Sequence, residues 1–124
     1  MNLPIGIVYL FGSQVQGKGN SQGDFDVGVV FADTRSLKNF DTLHANLYAL
    51  LAEEFPVTFA KDIDIAYLQQ TSLAFQHHVI SEGRVLFERD PVFRADYEEK
   101  VIREYLDFRP VEGYFSEGLL TRLR

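Results

Sequence analysis

Three observations on this 124-residue sequence predict an α+β domain, a mixed β-sheet with helices packed against it. Two apolar, β-branched runs occur before residue 32, joined by a polar, glycine-rich stretch too loop-like for a crossover helix. From residue 37 onward the apolar residues recur every three to four positions, the helical period. Strands and helices then alternate unevenly, which disfavours a doubly wound parallel sheet.

Ile5–Phe11 is almost continuously apolar and ends at Gly12, as expected of a strand buried on both faces. Gly17, Gly19, Asn20, Ser21 and Gly23 mark a loop, and Phe25–Phe31 resumes as a second strand. Leu37, Phe40, Leu43, Leu47, Leu50 and Leu51 place a helix over Leu37–Phe55, stopped by Pro56. Val57–Phe59 and Ile63–Leu68 form a third strand region. Ser72–Ser81 is a helix closed by Gly83, and Val85–Phe87 is a short final strand. Phe93, Tyr97, Val101, Ile102 and Tyr105 stripe a helix over Pro91–Leu106. A polar turn and a last amphipathic piece with Leu119, Leu120 and Leu123 complete one domain spanning residues 1–124.

Composition removes whole classes of function. Hydrophobic residues at 46% and charged residues at 24% are globular proportions, incompatible with a disordered chain. Cysteine is absent, which excludes disulfide frameworks, thiolate zinc sites and thiol nucleophiles. The net charge of −6 disfavours direct contact with nucleic acid or anionic membrane. The acidity is even, with four basic against seven acidic side chains in residues 1–62 and eight against eleven in 63–124. The longest apolar run is too short to span a bilayer, and no secretory signal precedes it, so the expected location is cytoplasmic.

Chemistry concentrates between Phe11 and Val30. A buried strand ends at Gly12-Ser13, ten residues follow, and Asp24-Phe25-Asp26 opens the next strand. Alternate strand residues share a face, so Asp24 and Asp26 point together while Phe25 turns to the core. Carboxylates so placed repel unless a cation lies between them, and hard oxygen ligands suit magnesium completed by substrate phosphates. Glycine lets backbone approach a ligand closely, and Ser13 adds a hydroxyl donor. Asp62 and Asp64 alternate onto one face of the next strand, in Lys61-Asp-Ile-Asp-Ile-Ala66. Three strand-borne carboxylates can hold two metals. Apart, a Gly-Ser turn and an Asp-x-Asp edge are commonplace; their joint spacing between apolar strands points to a site.

Other residues carry simpler readings. His77 and His78, adjacent on a helix, diverge by about 100° and cannot chelate one ion; with His44 they read as surface or packing residues. Lys100 and Arg103 belong to a solvated face among Glu98, Glu99 and Glu104. Tyr114, Phe115, Leu119 and Leu120 fit packing on this domain or docking on a partner equally well.

Gly-Ser, ten residues, then Asp-x-Asp resembles the DNA polymerase β-like nucleotidyltransferases, and the compact chain resembles the minimal nucleotidyltransferases, the MNT proteins. Ile63-Asp-Ile resembles the family's third-carboxylate strand, and Glu82–Asp90 the segment after it. Tyr105-Leu-Asp-Phe-Arg-Pro110 resembles the C-terminal helix of MntA-type antitoxins in HEPT–MNT (type VII) toxin–antitoxin pairs. The resemblance implies a nucleotidyltransferase fold and a magnesium-dependent protein adenylyltransferase. Such an enzyme moves AMP from ATP to a tyrosine of a cognate HEPT-type RNase toxin and neutralises it. Carried across, Gly12 and Ser13 hold the nucleotide phosphates and Asp24 and Asp26 bind two magnesium ions. Asp64 completes the acceptor-side metal site and helps deprotonate the incoming hydroxyl, with Asp62 as the fallback.

The expected partners are therefore ATP and the toxin, in a hetero-oligomer or with a homodimer, residues 91–124 being the segment available to the partner. The sequence departs from the family where arginines often follow the Gly-Ser pair (here Gln14 and Gln16) and where a serine often precedes the first aspartate (here Gly23). Lys18 is the nearby cation that substitutes. Relatives usually carry a helix before the first strand, whereas this sequence opens almost on that strand, and two readings stay open: the helix is dispensable, or it lies upstream of residue 1. Two alternatives stay open: a nucleotidyltransferase for a small aminoglycoside-like acceptor, and a catalytically weak antitoxin that acts by binding alone.

Overall fold

The computed structural model describes residues 3–12, 25–33, 39–55 and 62–123, with only the helical backbone described from 108 onward. The elements run β1 (Ile5–Phe11), β2 (Phe25–Phe31), α1 (Phe40–Glu54), β3 (Ile63–Tyr67), a 3₁₀ turn (Leu68–Gln70), α2 (Leu73–Glu82), β4 (Arg84–Glu88) and α3 (Pro91–Leu123). Four described strands form one sheet in the order β3-β2-β1-β4. β1 is antiparallel to β2 and to β4, whereas β2 and β3 are parallel. The sheet is mixed, as the uneven alternation predicts.

Both faces of the central strands are covered, so β1 and β2 are almost wholly buried. On one face Val27, Val29, Phe31, Ile63 and Tyr67 pack with Leu43 and Leu47 of α1. On the other, Ile7, Tyr9, Phe11 and Val30 pack with Leu68, Val79 of α2, and Phe93 and Tyr97 of α3. On that second face Gly28 stands opposite Ala66. A side chain on Gly28 would lie 3.2 Å from Val79 and 3.3 Å from Leu68, so this small pair lets α2 sit down on the sheet.

Local chemistry sets the helix ends. The Ser72 hydroxyl accepts the Phe75 N–H at 3.1 Å and starts α2. The Gly83 N–H bonds to the Val79 carbonyl at 2.7 Å and ends it. A Cβ on Gly83 would collide with that carbonyl oxygen, which is why glycine stands there.

The structure corrects the sequence reading in three places. Helix α1 starts at Phe40; residues 37–38, like 57–59 of the expected third strand region, lie outside the described residues. Leu68 belongs to the 3₁₀ turn, because its carbonyl accepts both the N–H and the hydroxyl of Thr71, at 3.0 and 2.7 Å. Helix α3 does not break near Pro110 but continues to Leu123. Proline forfeits one rung of the helical ladder, and the flanking residues carry the rest. No helix among the described residues is long and apolar enough to cross a membrane.

Candidate functional site

Three strand ends meet at one edge of the sheet. β1 finishes at Phe11, which stands opposite Asp26 near the start of antiparallel β2. Asp26 in turn stands beside Asp64 of parallel β3. The two aspartates thus occupy neighbouring strands about 4.8 Å apart. Alternation along β2 puts Asp26 on the same face as Gly28 and Val30, and alternation along β3 puts Asp64 there with Ala66. One row inward, Gly28 and Ala66 are small and overlaid by α2. The carboxylates sit in the row beyond, where Asp26 is half-buried and Asp64 exposed.

Gly12 completes this edge. Its backbone adopts φ +83°, in the left-handed region that glycine enters without penalty. A Cβ there would run into Oδ2 of Asp26, so the carboxylate lies directly over the glycine backbone. The turn leaving β1 and the carboxylate of β2 are therefore fitted to each other.

Of the residues assigned from sequence, the structure brings Gly12, Asp26 and Asp64 together at one edge. Ser13 and Asp24 lie outside the described residues, as do Gln14, Gln16, Lys18 and Gly23. Among the described residues no cluster of three or more histidine or acidic side chains could hold a metal ion. The pair that remains is hard oxygen chemistry on adjacent strands, the donor type that suits magnesium.

Asp62 is not on the face of Asp64. Its Oδ1 accepts the Ile63 N–H at 2.7 Å and the Tyr48 hydroxyl of α1, so its carboxylate is committed to the opposite side of the sheet. The hydroxyl, then the amide, hold its carboxyl below the usual carboxylate range. Strand alternation does not carry to this residue, which precedes β3 and has its side chain drawn to Tyr48. Sequence reasoning missed Tyr48 as the partner. The available signal was a tyrosine beside the leucines that face the core, since a half-buried phenol needs somewhere to place its hydroxyl.

The histidines have structural partners. His77 stacks on Tyr105 with ring centroids 4.1 Å apart, pinning α2 to α3. His44 Nδ1 lies 2.7 Å from the Tyr67 hydroxyl. Burial pushes the Tyr67 phenol up to about 12 and raises Tyr97 further. Tyr9, also raised by burial, donates to Glu98 Oε2 at 2.7 Å.

Comparison with known proteins follows the same outline. The sequence pattern described as polymerase beta, nucleotidyltransferase matches residues 1–92, which contain β1 through β4 and every assigned site residue. No curated protein sequence matches the chain. Among solved structures, a toxin–antitoxin with AMP-PNP superposes with TM-score 0.71 at 24% identity, covering 96% of this chain and 89% of that one. The MNT antitoxin complex of a tri-AMPylated Shewanella oneidensis HEPN toxin gives 0.64 at 22%, covering 94% and 84%. A toxin–antitoxin MntA–HepT structure gives 0.64 at 21%, covering 94% and 85%. At these identities the superpositions establish a shared fold.

Proposed function

We propose that this chain, which belongs to the polymerase β nucleotidyltransferase family, transfers the AMP moiety of ATP to a tyrosine hydroxyl of a partner toxin and so acts as an antitoxin. The observation that carries the reading is the register of Asp26 with Asp64 beside the left-handed turn at Gly12. Two carboxylates this close are unfavourable unless something positive lies between them, and the donor set fits magnesium. Asp26 and Asp64 would hold the metal, with Asp24 as third carboxylate. Bound there, magnesium would neutralise charge developing on the phosphates.

The remaining roles fall to the chain itself. Backbone at Gly12 can approach a phosphate closely, and the Ser13 hydroxyl is a donor to it. Asp64, the more exposed carboxylate, faces the incoming acceptor and takes the proton of its hydroxyl. The tyrosine oxygen attacks the α-phosphorus, the bond to the β-phosphate breaks, and pyrophosphate leaves. That the acceptor is a toxin rests on fold neighbours that are themselves toxin–antitoxin complexes, one holding a tri-AMPylated HEPN toxin. The proposed location is the cytoplasm, where ATP and such a toxin would be met.

The test uses the purified chain, its co-expressed HEPN-domain partner, magnesium and ATP labelled at the α-phosphate. A labelled partner band that disappears with Asp26→Ala supports adenylyl transfer. A stable complex that never acquires label, under conditions where the partner's tyrosines are accessible to iodination, would sink it.

A further inference from the structure

Of the two aspartates in Lys61-Asp-Ile-Asp-Ile, only Asp64 shares the face of Asp26, and Asp62 is spent differently. Among the described residues, three hydrogen bonds meet at Asp62. Its carbonyl accepts the Phe25 N–H at 2.9 Å, its Oδ1 accepts the Ile63 N–H at 2.7 Å, and the same oxygen accepts the Tyr48 hydroxyl. The first bond ties β3 to the start of β2, one residue before Asp26. The last ties β3 to α1. Phe25 is gripped a second time, because its ring stacks on Phe55 at the end of α1 with centroids 4.6 Å apart.

The axial offset of β3 against β2 determines where Asp64 stands relative to Asp26. Parallel strands have no hairpin to set that offset, so it rests on the buried side chains of the two strands and on the contacts at their ends. Asp62 and Phe25 are those ends.

We propose that Asp62, held by Tyr48, is a positioning residue that locks β3 in register and thereby sets the separation of the Asp26 and Asp64 carboxylates. The inference rests on the reading that these two carboxylates form the metal site. It assigns the two aspartates of one strand to different tasks, one to hold ligand and one to hold the strand.

The experiment compares Tyr48→Phe, Asp62→Ala and Asp62→Asn with wild type and with Asp64→Asn. Substitutions behind a metal site commonly reduce activity or metal affinity by about 10- to 100-fold. Tyr48→Phe and Asp62→Ala are expected to lower kcat for AMP transfer by about tenfold or more, with KM for ATP within about twofold, because the phosphate cradle at Gly12 is untouched. Asp62→Asn retains an acceptor oxygen and should recover most of that loss. A purely structural role would instead lower the melting temperature and leave kcat per folded molecule unchanged.

Mn2+ affinity, read from water proton relaxation, is the measurement that needs no turnover. A wild type that binds Mn2+ without transferring AMP would overturn the transferase reading while leaving the positioning role to be decided by this binding. Weaker Mn2+ binding in Tyr48→Phe by about fivefold or more, with faster amide exchange at Phe25, supports the positioning role. Unchanged Mn2+ affinity and kcat in Tyr48→Phe and Asp62→Ala would overturn it. So would a loss in Asp62→Asn as deep as that in Asp64→Asn, which would make Asp62 a direct ligand.

Discussion

Asp26 and Asp64, 38 positions apart in the chain, stand in direct register on neighbouring parallel strands. Their closeness is produced by the fold alone, and it yields the sharpest expectation about activity. Asp26→Asn and Asp64→Asn should each reduce AMP transfer by about 100-fold or more while the circular dichroism spectrum is retained. Asp64 is exposed, so its replacement should change the unfolding free energy by no more than about 0.5 kcal/mol. Chelation with EDTA should abolish transfer in wild type and magnesium should restore it. Transfer that persists in EDTA would contradict a metal role for the pair.

Gly12→Ala combines two penalties. The left-handed backbone is unfavourable for alanine by about 1–2 kcal/mol, and the new methyl group meets the Asp26 carboxylate. Urea unfolding should show a loss of about 1–2 kcal/mol. Activity should fall further than stability does, because the atom displaced is a carboxylate of the site. A variant with wild-type kcat and unchanged melting would show that Gly12 and Asp26 are not fitted to each other.

Tyr9→Phe tests the joint between the sheet and α3. Tyr9 is almost fully buried and its hydroxyl donates to Glu98. Deleting the hydroxyl leaves the Glu98 carboxylate short of a donor, a loss of about 1–3 kcal/mol. Adding Glu98→Gln in the Tyr9→Phe background removes the stranded charge and should return part of that. Equal stability of wild type and Tyr9→Phe in denaturant titrations would count against the hydrogen bond as a stabilising contact.

Alkali should destabilise the domain before its buried phenols ionise. The folded state holds the Tyr67 proton to about pH 12 and those of Tyr9 and Tyr97 beyond that range. Unfolded tyrosine loses its proton near pH 10. The stability these three contribute is therefore fully present below pH 10 and declines as pH rises toward 12 and above. Melting temperatures recorded from pH 8 to 12 should fall steadily above 10. Absorbance at 295 nm should show the late tyrosines ionising together with unfolding, and a single smooth titration near pH 10 would refute it.

The sequence made the sheet legible because β1 and β2 are covered on both faces and read as unbroken apolar runs. Its mixed character followed from the lack of room for a crossover between Gly12 and Phe25. Alternation alone left Asp62 and Asp64 equivalent, and the preference for Asp64 beside Asp26 came from the family resemblance. The different placement of Asp62 was not legible, since period-two alternation applies inside a strand and this residue lies just before one. The continuation of α3 past Pro110 was also hidden. A proline lowers helix propensity locally, whereas α3 runs through it as one helix, its first half anchored on α2 by Tyr97 to Gln76 and Tyr105 against His77.

The parallel pairing of β2 with β3 has a kinetic meaning. β1 can meet β2, and α2 can meet β4, through contacts between near neighbours in the chain. The seam that unites Asp26 and Asp64 must instead close a loop that carries the whole of α1. Long-range parallel contacts form slowly, because chain entropy is lost before they reward it. A nascent chain halted before β3 therefore holds Asp26 without Asp64, and the two carboxylates meet only once that loop has closed.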